Sequence, residues 1–180
     1  MTPEEIKEIW NDIRNMVTPS WLTSAPPDLG SASHGKLKAD QLRAIGTTYL
    51  PITLIRLWAQ SKHTDLRSQR CKDILSVTMS LVSAIIIASS RETSYAHAEL
   101  YLQHMTAYIE GIKVLFPEYK FLSNHHMALH LGEYLVRYGP VHGWWAFPFE
   151  RLIGMLQRTA TNCKIGKYRS LHKIRLFTDR

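Results

Sequence analysis

Residues 74–88 read Ile-Leu-Ser-Val-Thr-Met-Ser-Leu-Val-Ser-Ala-Ile-Ile-Ile-Ala, a run that is almost entirely apolar or hydroxylated between the charged residues Asp73 and Arg91. A membrane span requires roughly 20 strongly apolar residues. This run is shorter and contains several serine and threonine residues. We therefore predict a buried central helix from Asp65 to about Ser90 that forms the core, rather than a span.

Helical spacing continues on both sides of this run. Thr2-Pro3-Glu4-Glu5 supplies a polar cap, a first-turn proline and acidic residues at the positive helix end. No segment shows the sustained alternation of a strand. The sequence thus predicts a mainly α single domain. Its predicted helices are Pro3–Met16, Lys36–Ile45, Asp65–Ser90, Thr93–Phe116, Ser123–Tyr138 and Pro148–Thr159.

Proline and glycine divide these helices. We expect an extended loop over Thr18–Gly35, held to the body by Trp21 and Leu22, and a helix break at Leu50-Pro51. The predicted organisation is an N-terminal helix at 1–17, a helical domain at 18–160 and a basic tail at 161–180.

Composition narrows the class of protein. The chain has 180 residues, of which 45% are apolar and 21% charged, as in ordinary soluble domains. Cys71 and Cys163 are its two cysteines, too few for a disulfide framework or a thiolate zinc cluster. The first thirty residues lack a secretory pattern. We expect a reducing compartment and no membrane.

The net charge of +7 lies entirely at the C-terminal end. Residues 1–150 contain 14 Lys/Arg and 14 Asp/Glu, whereas residues 151–180 contain eight Lys/Arg and one Asp. Such a basic end is typical of binding to a polyanion, most simply DNA. A solvated, poorly ordered terminus is the alternative. The predicted phosphate contacts are Arg151, Arg158, Lys164, Lys167, Arg169, Lys173 and Arg175.

An aromatic block follows the helix stop at Gly139-Pro140. It comprises Trp144, Trp145, Phe147, Pro148 and Phe149, and aromatic side chains at this density usually form a rigid packed surface. Glu150 comes directly after the block, in the first turn of the last predicted helix. Its carboxylate is either a charge at a helix N-terminus or a member of an active site.

Two histidines suggest a metal site. His126, His130 and Glu133 are spaced by four and three residues, which places them on one face of a helix. Two imidazoles one turn apart can chelate a transition metal, and the carboxylate can complete or orient the site. The alternative is that the histidines pack at a helix interface. A metal-dependent enzyme would need a further ligand, such as His142.

Longer stretches resemble a known family. The run His126-Met-Ala-Leu-His130-Leu-Gly-Glu and the run Tyr138-Gly-Pro-Val-His-Gly-Trp-Trp-Ala-Phe-Pro-Phe-Glu-Arg-Leu-Ile-Gly-Met-Leu-Gln resemble a domain of unknown function in CACTA-type (En/Spm-like) transposon proteins. Upstream, Gly30-Ser-Ala-Ser-His34-Gly35-Lys36 and Leu50-Pro-Ile-Thr-Leu-Ile-Arg-Leu-Trp58 resemble its fungal branch. The resemblance covers roughly residues 15–165.

This resemblance implies a role in DNA transposition. Cut-and-paste transposases have an RNase H-like core in which two aspartates and a later, helix-borne acid hold two divalent metals. Glu150 would correspond to the late acid, and the helices from Lys36 to Tyr138 to a helical insertion. The two aspartates would lie before Met1, so we expect no catalysis and no cofactor in this chain. A transposase core would be supplied by another chain. The resemblance implies that this protein acts in the nucleus, and without it we would expect the cytoplasm.

The sequence therefore predicts a transposon-derived, non-autonomous accessory domain that binds nucleic acid or protein. One alternative is a protein-interaction module that uses the aromatic block. A second is a metal-dependent enzyme that uses His126, His130 and Glu133.

Overall fold

A computed structural model describes residues 2–31, 37–59 and 65–158. Within these ranges the chain is helical and contains no strand, which confirms the mainly α class. It divides into two compact units, Met1–Trp145 and Ala146–Arg180. The helices are α1 (Pro3–Asn15), α2 (Ala39–Ala44), α3 (Leu50–Leu54), α4 (Leu66–Ala88), α5 (Tyr95–Leu115), α6 (Ser123–Tyr138) and α7 (Phe147–Arg158).

Local capping chemistry sets the helix ends. At α1 the Thr2 hydroxyl accepts from the Glu5 backbone N–H while the Glu5 carboxylate accepts from the Thr2 N–H, a reciprocal capping box. The side chains of Asp65 and Ser94 cap α4 and α5, and each accepts from the backbone N–H three residues ahead. At the far end of α6, Gly139 has φ 78°, a conformation that favours glycine. These ends confirm the predicted helices to within a few residues.

The predicted break at Leu50-Pro51 is wrong. A π-helical turn over Ile45–Tyr49 precedes α3, and the Leu50 N–H bonds to the Ile45 carbonyl five residues back. This shift places Pro51 in the first turn of α3, where a missing N–H is tolerated. A second π-helical turn, Ile55–Ala59, follows α3. The chain therefore remains helical from Ala39 to Ala59.

Two apolar clusters form the core of the first unit, and α4 contributes to both. Its N-terminal half supplies Leu75 to a cluster with Ile9, Ile13 and Trp58. Its C-terminal half supplies Ala84 to a second cluster. In that cluster α5 contributes Tyr101 and Met105, and α6 contributes Leu135.

Tyr101 ties the second cluster together. Its hydroxyl donates to the Ala128 carbonyl of α6 at 2.7 Å, and burial raises the pKa of Tyr101 to about 12. The buried hydroxyl therefore has a partner and stays protonated at neutral pH.

The prediction that α4 is a buried helix holds only in part. Its most apolar window has a mean hydropathy of 1.8, and 22% of that window is buried. The neighbouring helices cover only one side of α4, and Ile86 on its uncovered side is 55% exposed. Among the described residues α4 is the one helix that meets the length and apolarity criteria for a membrane span. Core helices of soluble proteins also meet these criteria.

The loop before α2 is held differently from the prediction. Leu22 packs against the first cluster as expected, but Trp21 is 81% exposed and does not anchor the loop. Instead the indole N–H of Trp10 donates to the Leu29 carbonyl at 2.9 Å. That bond joins α1 to the described part of the loop.

Candidate functional site

Glu150 lies on α7, the helix of the second unit. The structure confirms that it falls in the first turn, and its side chain is exposed. Its N–H bonds to the Ala146 carbonyl at 2.9 Å, which begins the helix. Within residues 2–31, 37–59 and 65–158, no three His, Cys, Asp or Glu side chains converge to hold a metal ion. The described chain therefore places no such ligand group around Glu150.

α7 has one apolar and one polar side. Phe149, Ile153 and Leu156 recur at helical spacing, and each is more than half exposed. Arg151 lies on the polar side, and Arg158 occupies the same register two turns later. The other predicted phosphate contacts lie outside the described residues. They are Lys164, Lys167, Arg169, Lys173 and Arg175.

In the first unit, the two tryptophans of the aromatic block lie beside the end of α6. After Gly139 and Pro140, a 3₁₀ turn over Val141–Gly143 carries the chain to Trp144. The Trp144 indole N–H donates to the Gly139 carbonyl at 3.1 Å, and 38% of the side chain is exposed. Its ring lies edge-on to those of Tyr134 and Tyr138, with centroids 6.4 and 6.3 Å away.

Tyr134 was absent from the predicted site. Its spacing of four residues from Tyr138 is the signal that places both rings on one side of α6. The phenylalanines of the aromatic block belong to the second unit, where Phe147 and Pro148 open α7 and Phe149 is 65% exposed. A single packed surface made by the whole block stays a prediction.

The predicted metal residues lie on α6. The Nε2 atoms of His126 and His130 are 3.3 Å apart. The Glu133 carboxylate lies 3.9 Å from Nδ1 of His130, whereas it is Nε2 of that ring that meets His126. Geometrically, Glu133 therefore faces the other ring nitrogen and does not share the space between the two Nε2 atoms.

His142 does not complete a metal site with this pair, since no three-ligand group forms among the described residues. Its ring lies 4.1 Å from that of Trp145, and its Nδ1 is buried without a hydrogen-bond partner. Burial first, and then the charges of Arg91 and Arg43, lower the pKa of His142. His142 is therefore neutral over a wider pH range than a free imidazole.

Comparisons of the chain with protein-family models, with curated proteins and with solved structures found no match.

Proposed function

We propose that this chain is a transposon-derived helical module that binds nucleic acid through its basic C-terminal end and does not cut DNA by itself. The observation that carries the proposal is the charge distribution. All of the net charge of +7 lies in residues 151–180, while residues 1–150 are neutral. A neutral body with one cationic end is typical of proteins that bind phosphates without reading sequence.

α7 supports this assignment because it begins the basic end with regular structure. Arg151 is exposed on the polar side of α7, and Arg158 follows after two turns in the same register. Positions seven residues apart on a helix lie about 10 Å apart along its axis. That spacing allows the two positions to reach separate phosphate groups of one duplex.

The resemblance to transposon proteins supports the accessory role. It implies that Glu150 corresponds to the late, helix-borne acid of a transposase, and Glu150 lies in the first turn of α7. One carboxylate does not hold two metals. We therefore expect the full chain with Mg²⁺ or Mn²⁺ to leave supercoiled plasmid intact, and nicking that Glu150→Gln abolishes would contradict this part of the proposal.

Fluorescence anisotropy with a labelled duplex tests DNA binding. The full chain is compared with an Arg151→Gln/Arg158→Gln variant, and its matched control is Lys7→Gln/Arg14→Gln. The control pair is also seven residues apart, on exposed positions of α1. The slope of log K against log salt is negative, and each lost phosphate contact makes it shallower by about 0.9. We expect this loss for the α7 variant alone; equal effects of both variants, or no binding, would overturn the proposal.

A protein-interaction module is the second candidate, and the exposed apolar side of α7 favours it. Leu152→Ser/Leu156→Ser separates the two functions. Nucleic-acid binding predicts that this variant keeps the DNA affinity of the wild type. The second candidate would be favoured by two results together. The wild type would not bind DNA, and the leucine variant would lose the self-association or partner binding that the wild type shows.

A further inference from the structure

We propose that His126 and His130 form a two-histidine chelate for a divalent transition-metal ion on α6. The chelate is independent of the basic end, because it lies on a helix of the first unit. Its ligands are two imidazole nitrogens, and water or an added ligand fills the remaining positions. Glu133 acts on the ring of His130 rather than on the metal.

The separation of the two nitrogens carries the proposal. Imidazole binds zinc at about 2.0–2.1 Å, so two ligands of a tetrahedral ion are about 3.3–3.4 Å apart. The Nε2 atoms of His126 and His130 are 3.3 Å apart. Their rings meet at 82°, with centroids separated by 4.9 Å. The pair thus already spans one edge of a tetrahedron.

Glu133 favours one tautomer of His130. Its carboxylate lies 3.9 Å from Nδ1, the ring nitrogen of His130 that does not meet His126. A carboxylate at that position favours the tautomer with hydrogen on Nδ1, which leaves the Nε2 lone pair for a metal. Because 76% of the Glu133 side chain is exposed, this effect is small. Glu133 is a positioning residue.

The accessibility of the pair sets the kind of site. His126 is exposed and 44% of the His130 side chain is exposed, so an ion reaches both rings from solvent. Two protein ligands leave open positions, which distinguishes this site from a closed four-ligand structural zinc centre. Neutral imidazoles favour Zn²⁺, Ni²⁺ and Cu²⁺ over Mg²⁺.

A hydrogen bond between the two rings accounts for the same distance, and calorimetry separates the two interpretations. The full chain, with Cys71→Ser and Cys163→Ser to remove thiol ligands, is titrated with Zn²⁺, Ni²⁺ and Mg²⁺. We expect one Zn²⁺ or Ni²⁺ per chain and no response to Mg²⁺. His126→Gln and His130→Gln should each weaken Zn²⁺ binding by about tenfold or more, and the double variant little further, because either change destroys the chelate.

His125→Gln is the matched control. His125 lies on the same turn, but its ring contacts Tyr119 and Phe121 with centroids 5.7 and 5.1 Å away. This variant should bind Zn²⁺ as the parent protein does, and Glu133→Gln should weaken binding less than either histidine variant.

Two results would overturn the proposal. One is the absence of Zn²⁺ binding at about millimolar concentration in a protein whose circular dichroism shows intact helices. The other is equal weakening of Zn²⁺ binding by His125→Gln and His126→Gln, which would point to damage to α6 instead of a chelate.

Discussion

Arg56 joins two segments that are far apart in sequence. Its guanidinium donates to the Asp12 carboxylate at 3.0 and 3.1 Å and to the Glu8 carboxylate at 2.9 Å. These bonds connect α1 to the second π-helical turn, and the planar guanidinium suits a two-point contact with Asp12. The contribution is modest, because 44% of the Arg56 side chain is exposed.

Arg56→Lys should therefore lower the free energy of unfolding by about 1 kcal/mol, since lysine keeps the charge but loses the planar fork. Urea unfolding at neutral pH measures this change. Arg43→Lys is the control, because Arg43 pairs with Asp40 only three residues away in α2. Its expected cost is under about 0.5 kcal/mol. Equal losses in the two variants would contradict a special role for Arg56.

Glu5 makes the stability of the first unit sensitive to acid. Burial opposes ionisation of this carboxylate, but the Thr2 N–H, the Trp58 indole and the nearby Arg67 outweigh it and lower its pKa below 4.5. A carboxyl group with a lowered folded-state pKa stabilises the fold at neutral pH. That stabilisation is lost as the pH falls through the folded-state value.

We expect Glu5→Gln to destabilise the protein at neutral pH and to flatten the decline in stability as the pH falls below the ordinary glutamate value of about 4.5. Urea unfolding at neutral pH and below that value measures both effects. Glu4→Gln, a neighbour in the same first turn of α1, is the control and should keep the steep decline. A Glu5 variant with the wild-type pH dependence would show that this carboxylate does not couple folding to protonation.

Individual side chains differ in how far sequence predicts them. The spacing of His126 and His130 predicts that their rings meet, because a helix brings residues four apart together. The exposure of Trp21 was not predictable, since it depends on which side of the loop faces the core. The hydrogen bond from Trp10 to Leu29 joins segments 19 residues apart in the chain. Local spacing carries no signal for such a contact.

At the scale of the elements, helix ends follow from the sequence because caps are local chemistry. Thr2, Asp65 and Ser94 each bond to an N–H three residues ahead, and each lies within one residue of a predicted helix start. Pro51 misled the prediction, because proline usually ends a helix. The π-helical turn before it changes the hydrogen-bond register, and no pattern of apolar residues reports that change.

The packing of α5 against α4 depends on a close approach at Gly111. A Cβ built at this position would lie 2.3 Å from Cγ2 of Val77, and valine is stiff about χ1. Gly111→Ala should therefore destabilise the first unit by about 1–3 kcal/mol through overpacking, against a gain in helix propensity of about 1 kcal/mol.

Gly46→Ala is the control for that substitution. Gly46 belongs to the same unit and a Cβ there would meet no atom within 4 Å. Denaturant midpoints should show Gly46→Ala to be neutral or stabilising while Gly111→Ala is destabilised. A Gly111 variant as stable as the wild type would mean that α4 and α5 are farther apart than the structure has them.

At the scale of the whole molecule, the charge distribution is the feature that sequence predicts best, since it needs only the order of residues. The division at Trp145 and Ala146 was not predicted, because the apolar positions of α7 resemble those of a core helix. In the structure these positions are not buried as they would be in a core helix, because Leu152, Ile153 and Leu156 are each about half exposed. Burial depends on what surrounds a helix, and helical spacing does not report it.

The salt dependence of duplex DNA binding tests the central claim most directly. Two full-length variants that each lose five positive charges are compared with the wild type. One carries glutamine at Lys164, Lys167, Arg169, Lys173 and Arg175, and the other at Lys7, Arg14, Lys72, Arg91 and Lys120. We predict a steep negative slope of log K against log salt for the wild type and the second variant. In the first variant, which keeps Arg151 and Arg158, the slope should be shallower by about 4.5, because each of the five lost phosphate contacts removes about 0.9. A flat wild-type slope, or a first variant as salt-sensitive as the second, would contradict the claim.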